Sequence, residues 1–207
     1  VTQRQPRNEG FAMNDPTAIT HFGLPDPRNR FLPPIYCVYE LRDDDDWGAI
    51  PPVPWVSDLQ GEEICPLDID FRLAHRNGNI LLRARIQDGP ATVRDVPADD
   101  VHFWMQDHIE FRLLAPDGGQ RQWIVAPSGR VFSNPGPAPL AADAETTPDG
   151  WTATLELDGS AAGIASTCAS SPLKGNLAYT RWRGNSLQFW SFGSTELGYN
   201  QEERFGR

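Results

Sequence analysis

Apolar and polar residues alternate along much of the chain, which is the pattern of strands that bury one face. In residues 68–75 Ile69, Phe71 and Leu73 share one face, and in residues 80–87 every second position from Ile80 to Ile86 is apolar. Between these two stretches stands Asn77-Gly78, a strong signal for a two-residue hairpin. This part of the chain therefore predicts two antiparallel strands joined by a tight turn.

The alternation continues toward the end of the chain, and helical periodicity is almost absent. In residues 107–114 it places Ile109, Phe111 and Leu113 on the buried side and His108 and Glu110 on the opposite side. Further strands are predicted at 36–41, 122–126, 130–133, 151–157, 177–182 and 187–192. About nine or more short strands predict an all-β fold, an antiparallel β-sandwich of the immunoglobulin-like or jelly-roll-like kind.

The domain organisation follows from composition along the 207 residues. Residues 1–34 are polar and contain proline, and are predicted to be an irregular N-terminal arm or linker. Residues 35–207 are predicted to form one sandwich domain. Within it, 134–148 is rich in Pro and Ala and is predicted to be a loop, as is 158–173.

The charge of the chain argues against two classes of partner. The formal net charge is −10 and the sequence pI is about 4.8, so nucleic acid and anionic membrane surfaces are disfavoured. No apolar run approaches the roughly 20 residues of a membrane span. Neutral glycans and bound cations remain compatible with this surface. Seven Trp residues are more than a core of this size needs, so some are expected on the surface.

Two acidic clusters suggest a structural calcium ion, because carboxylate oxygens are the ligands that calcium prefers. The alternative is that both are solvated turns. The candidate ligands are Asp43, Asp44, Asp99 and Asp100. Three cysteines, without CxxC or Cys/His spacing, argue against a zinc site and leave free thiols or one disulfide open.

Residues 102–111 contain the side chains best suited to form a binding site. Trp104 precedes a strand whose outward side offers Glu110, and Arg83 or Gln87 adds a further polar group. Sugar rings stack their C–H faces on indole, and their hydroxyls need planar hydrogen-bond partners. This combination fits a carbohydrate site. The competing interpretation is a Trp that caps the sandwich, beside a surface Glu.

Four motifs in order resemble the family 9 carbohydrate-binding modules and their DOMON-like relatives. Residues 104–111 (WMQDHIEF) are similar to the family pattern W-x-x-D-x-(V/I)-E-(I/V)-F. Trp47 with its acidic lead-in resembles D-x-x-W, and 80–88 resembles L-Y-V-x-x-x-V-x-D. Trp190-Ser191 with 203–206 resembles the ending W-S…P-E-x-F-G. The likeness spans roughly residues 36–207.

The resemblance implies a non-catalytic module that holds a sugar between two aromatic rings. Those rings fall on Trp104 and Tyr199, and Glu110 takes the place of the family's carboxylate. Trp123 stands where the family has an Arg, and is expected to extend the stacking surface. The complete predicted ligand set is Trp104, Tyr199, Glu110, Trp123, Gln106, Arg83, Arg85 and His108. The resemblance also implies an extracellular or periplasmic location, with a catalytic domain or enzyme as partner.

Two alternatives from other classes stay open. A hydrolase or lyase acting on a glycan could use Glu110 with Asp99 or Asp100, since hydrolysis needs two carboxylates flanking one bond. Related sandwiches hold haem b through Met and His, and Met105 lies near His108. Three positions apart on one segment, those two cannot take opposite axial sites of one iron.

Overall fold

A computed structural model describes residues 38–42, 46–53, 57–58, 67–115, 118–163, 174–184 and 186–191. Two short 3-10 helices, Trp47–Ala49 and Val101–Trp104, accompany eleven strands in this part of the chain. The strands are β1 (Tyr39–Glu40), β2 (Ser57–Asp58), β3 (Asp68–Arg76), β4 (Asn79–Gln87), β5 (His108–Leu114), β6 (Gln120–Val125), β7 (Val131–Ser133), β8 (Ala141–Thr147), β9 (Gly150–Asp158), β10 (Lys174–Arg183) and β11 (Ser186–Ser191).

The strands form two sheets. One has five strands in the order β1-β3-β4-β9-β8, and the other has six in the order β2-β11-β10-β5-β6-β7. Every pairing is antiparallel except that of β1 with β3, which is parallel. The predicted all-β sandwich is confirmed, with this one parallel pair as an addition.

The main hydrophobic core lies between the two sheets and draws on alternate residues of both, as period-two strands require. The inward prediction for Ile109, Phe111 and Leu113 is confirmed, because all three belong to this core. Its largest fully buried members are Trp123, Trp151, Tyr179 and Phe71.

The hairpin predicted at Asn77-Gly78 is present between β3 and β4. Asn77 has φ 52° and Gly78 has φ 84°, and the flanking Arg76 and Asn79 pair directly. Positive φ at both central residues is the requirement of a type I′ turn, which Asn-Gly meets at low cost. The turn sets the register, so that the alternating apolar residues of the two strands share the core side, while one directly paired couple, Ala74 and Leu81, faces the outer side.

The predicted loop at 134–148 is wrong in its second half, because Ala141–Thr147 is strand β8. It pairs with β9 at the edge of the five-stranded sheet. Alanine and acidic residues have low β-propensity, so its sequence gives little strand signal. Only pairing with β9 makes this segment a strand, and its outward acids are typical of protected sheet edges.

Residues 46–53 cover part of the outer face of the five-stranded sheet. Leu41 and Ile50 pack there against Ala74 and Leu81. Arg72 of β3 holds the segment in place by donating hydrogen bonds to the Trp47 and Ile50 carbonyls. Part of this face is therefore covered by the chain itself, whereas Arg85, Asp143 and Glu145 on the same face are exposed.

No helix in the described ranges is long and apolar enough to span a membrane. The predicted arm at 1–34 and all three cysteines lie outside those ranges, so the arm and the state of the thiols stay predictions.

Candidate functional site

The 3-10 helix Val101–Trp104 lies on the outer face of the six-stranded sheet. Asp100 caps it, because its Oδ1 accepts a hydrogen bond from the His102 amide at 2.7 Å. Phe103 is fully buried against Ile124 and Ala126, which point away from the main core. This second, smaller apolar cluster anchors the helix to the sheet and determines where the next residue, Trp104, is presented.

Trp104 is an exposed ring with rigid support. Its relative exposure is 38%, although three aromatic rings surround it. Phe132 of β7 lies 5.1 Å away between ring centroids, His108 6.0 Å and Phe103 6.2 Å, with interplanar angles of 67°, 84° and 86°. Edge-to-face contacts of this kind are favourable, so the indole is held in one orientation while part of its surface faces solvent.

His108 supports Trp104 from the strand below. The imidazole is buried, and its Nδ1 lies 2.9 Å from the Gln106 carbonyl oxygen, which can only accept. Burial lowers the pKa of His108 below its ordinary value, since the charged form loses solvation. A neutral imidazole that donates from Nδ1 fits this geometry. With only 4% of its surface exposed, His108 acts on the site through Trp104 rather than as a direct ligand.

Glu110 follows His108 on the same side of β5 and is also buried, which the sequence pattern did not predict. Its Oε1 accepts a hydrogen bond from Arg112 Nε at 2.8 Å and another from the Gln122 amide. Arg112 and Gln122 are directly paired neighbours on β5 and β6, and both are half-buried. Glu110 therefore holds two more accessible side chains that can both donate hydrogen bonds.

Gln106 does not fit its predicted role as a sugar ligand. It is fully buried, its Nε2 donates to the Phe103 carbonyl and its Oε1 accepts from the Arg94 amide. Both ends of the amide are used in joining the 3-10 helix to the preceding loop. The residue shapes the site without facing a ligand.

Trp123 was expected to extend the stacking surface, and this prediction is wrong. The ring is fully buried in the main core and stacks on Phe111 at 5.7 Å, while its Nε1 donates to the Pro137 carbonyl. Residues 123–126 are all apolar, so alternation could not tell inward from outward positions. Ile124 and Ala126 take the outward positions beneath Phe103, which leaves Trp123 inside.

Arg83 and Arg85 cannot join Trp104 in one site, which corrects their predicted role. On β4, Leu82, Ala84 and Ile86 face the core, so the two arginines point to the outer side of the five-stranded sheet. Trp104 lies on the outer side of the six-stranded sheet. The thickness of the sandwich separates them.

The motif acids Asp88 and Asp107 hold one end of the sandwich together. Asp107 is fully buried and accepts from the Trp182 amide at 2.7 Å and from Arg183 Nη1 at 2.8 and 2.9 Å. Arg183 Nη2 lies 3.1 Å from Asp88 Oδ2. Burial raises the pKa of Asp88, and the nearby arginines oppose this only in part. These acids join β4, β5 and β10, which is a structural task.

Tyr199, Asp43 and Asp44 lie outside the described residues, so the second ring of the clamp and that calcium site stay predictions. Asp100 is used as a helix cap and also contacts His102 Nδ1 at 2.8 Å. Within the described ranges, no group of three or more His, Cys, Asp or Glu side chains could hold a metal ion.

The structure adds residues that sequence patterns did not single out. Thr180 and Asn176 of β10 are both buried, and they pair with His108 and Arg112 of β5, respectively. Phe132 contacts the indole of Trp104. Cross-strand register brings them together, and a single strand's pattern carries no such information. The resulting arrangement is a braced, part-exposed indole at the border of a polar sheet surface.

Comparison with known proteins gives a consistent picture of the fold. No protein-family model matches the chain, and no curated protein matches its sequence. A family 9 carbohydrate-binding module from Caldicellulosiruptor kristjanssonii, solved with glucose, is similar with a TM-score of 0.56 at 14% identity over 83% of this chain and 92% of that chain. A second structure of a family 9 module from this source, with cellotriose, has a TM-score of 0.56 at 13% identity, over 83% and 90%.

A third similar structure comes from Bacteroides uniformis ATCC 8492, a proposed carbohydrate-binding protein. It has a TM-score of 0.56 at 16% identity, over 84% of this chain and 97% of that chain. The three likenesses cover most of both chains, and at these identities they bear on fold. Together with the two packed sheets, they show that this chain has a β-sandwich fold like that of the family 9 carbohydrate-binding modules.

Proposed function

We propose that the outer face of the six-stranded sheet binds carbohydrate, with Trp104 as the stacking platform. One observation carries the proposal: an indole with 38% exposure is held by three edge-to-face ring contacts. A flexible exposed Trp would lose conformational freedom on binding, whereas a braced ring has already lost it. The structural neighbours that were solved with glucose and cellotriose support the same ligand class.

Polar contacts to the sugar come from side chains farther along the same face of β5 and β6. Arg112 and Gln122 are half-buried and are held by the buried Glu110. Each can donate to a sugar hydroxyl, and a carboxylate-bound guanidinium keeps a fixed orientation while it does so. In this arrangement Glu110 positions the donors, and direct contact falls to its two partners.

Tyr199 is proposed as the second ring, on the opposite side of the sugar. This rests on the resemblance of the chain ending to the family pattern. A ring on each side of a pyranose would bury both of its C–H faces.

Titration calorimetry with glucose and cellotriose tests the proposal. Trp104→Ala is expected to weaken binding at least tenfold, about 1.4 kcal/mol, because the stacked surface is lost. Trp104→Phe should retain part of the affinity, and Tyr199→Ala should weaken it as well. The matched control is Leu140→Ala, which removes an apolar side chain with 56% exposure just before β8 on the other sheet.

Two results would contradict the proposal. One is unchanged affinity in Trp104→Ala while circular dichroism shows the native fold. The other is an absence of binding by the wild-type chain to these sugars and to a wider glycan panel. Incubation of the same panel with the protein also tests catalysis, since release of product would replace the binding module by an enzyme.

A further inference from the structure

The open part of the outer face of the five-stranded sheet has an ordered charge pattern. Directly paired residues project from the same side of a sheet, so registers define rows across it. One row runs from Arg83 through Thr154 to Asp143, and the next from Arg85 through Thr152 to Glu145. We call this surface the charged face; it consists of Arg83, Arg85, Thr152, Thr154, Asp143 and Glu145.

The charges of this face have few partners among the described side chains. In the described part of the structure, the side chains of Arg83, Asp143 and Glu145 make no hydrogen bond or ion pair. Arg85 has two exposed contacts, with Asp68 at 3.6 Å and with Gln87, whose Oε1 accepts a hydrogen bond from Arg85 Nη1 at 3.3 Å. The reason is spacing, because β9 separates the basic strand from the acidic strand by about 10 Å.

Arg83 also has an unfavourable neighbour. It lies directly opposite Arg72 on β3, and like charges in that position destabilise a sheet. Arg72 is neutralised by Asp70 at 2.6 Å, but Arg83 is half-buried without compensation. An anionic group above Arg83 would relieve this arrangement, and no described segment of the chain supplies one.

We propose that a second copy of this chain covers the charged face, in a two-fold symmetric dimer whose axis runs along β9. Rotation about such an axis exchanges β4 with β8 and keeps each row in place. Arg83 of one copy then meets Asp143 of the other, and Arg85 meets Glu145. A self-complementary surface is what a two-fold interface requires. The threonines lie at the axis, where small side chains allow close approach.

The charge balance favours a second copy over an anionic polymer. Two basic and two acidic groups sum to zero on this face, so a polyanion would gain two contacts and meet two repulsive ones. The polar character and the net charge of −10 predict weak association, with a dissociation constant of about 10 µM to 1 mM.

The dimer would place the two Trp104 surfaces on opposite outer sides of the assembly, because each lies on the sheet that does not form the contact. This consequence rests on the proposed function. Two outward sugar sites would bind glycan chains bivalently, which raises apparent affinity for a polymer without new contacts.

Sedimentation over a concentration series, without sugar and at about 0.15 M salt, tests the dimer. At this salt the Debye length is about 8 Å, so long-range repulsion is screened more than contacting pairs. The all-acidic variant Arg83→Glu/Arg85→Glu and the all-basic variant Asp143→Arg/Glu145→Arg should each be monomeric. Mixed one to one, they should form a heterodimer, because every proposed pair is again oppositely charged.

The control is Arg130→Glu, an exposed charge reversal outside the charged face, which should leave self-association unchanged. Wild-type protein that stays monomeric to its solubility limit overturns the proposal, as does a reversed variant that dimerises like the wild type. Failure of the mixed variants to associate also overturns it. Sugar binding does not enter these measurements, so their failure leaves the Trp104 proposal to its own test.

Discussion

The two outer faces of the sandwich share the same strand geometry but treat their charges in opposite ways. On the six-stranded sheet, Glu110 is buried and tied to Arg112 at 2.8 Å. On the exposed part of the five-stranded sheet, Arg83 has no side-chain partner among the described residues, and Arg85 has only exposed contacts with Asp68 and Gln87. A side chain that points away from the core is therefore not always exposed to solvent. On the six-stranded sheet such side chains form a hydrogen-bonded site, whereas on the five-stranded sheet they form an exposed charged surface.

Removing one carboxylate from each face should show the largest difference between the two faces. Glu110→Ala should lower the free energy of unfolding by about 3 kcal/mol, because it removes the buried acceptor of the hydrogen bonds from Arg112 and Gln122. Asp68→Ala on the other face should change it by less than about 0.5 kcal/mol, since the pair with Arg85 is exposed. Urea unfolding of both variants measures this difference. Equal effects would remove the distinction between the faces.

Lowering the pH provides a second test of the outer face of the six-stranded sheet. Burial holds the pKa of His108 below its ordinary value of 6.5, so the unfolded chain takes up a proton that the folded chain does not. The contribution of neutral His108 to the free energy of unfolding is fully present above about pH 6.5. It is lost as pH falls toward the folded pKa, at up to about 1.4 kcal/mol per pH unit.

His108→Gln should reduce this pH dependence, and His102→Gln, at an exposed position, is the matched substitution for comparison. Unfolding measured between pH 5 and pH 8, the range in which an ordinary His titrates, checks both. The same slope in His108→Gln would contradict the assignment. Sugar affinity of His108→Gln also reports on Trp104, whose ring this imidazole supports.

The smallest expected effect is that of Arg83→Ala, which is compared with Arg72→Ala on the same face. Arg72→Ala should lower the free energy of unfolding by about 1 to 3 kcal/mol, since Arg72 bonds Asp70 and two carbonyls of 46–53. Arg83→Ala at low protein concentration should be neutral or stabilising by a few tenths of a kcal/mol, because it removes a like charge opposite Arg72. Thermal unfolding of the two variants compares them, and a large cost for Arg83→Ala would reveal a partner within the chain.

The family resemblance and the structure agree on the fold. The structure also shows that residues of the motif 104–111 have different roles. Trp104 is presented outward, Asp107 holds Arg183 at the end of the sandwich, and Glu110 orients its neighbours. A motif can therefore be similar to a family pattern mainly because its acid stabilises the fold. The ligand role rests on the indole and on what surrounds it.

The sequence by itself determined most of the strands and the inward side of most of them, because alternation with period two is a local property. It also determined the hairpin at Asn77-Gly78, where the turn residues set the register. Only the tertiary structure decided which strands share a sheet, and with it that Arg83 and Trp104 lie on opposite outer faces. It decided as well that Trp123 is buried and that β8 is a strand, because neighbouring strands and covering segments create those environments and no single segment encodes them.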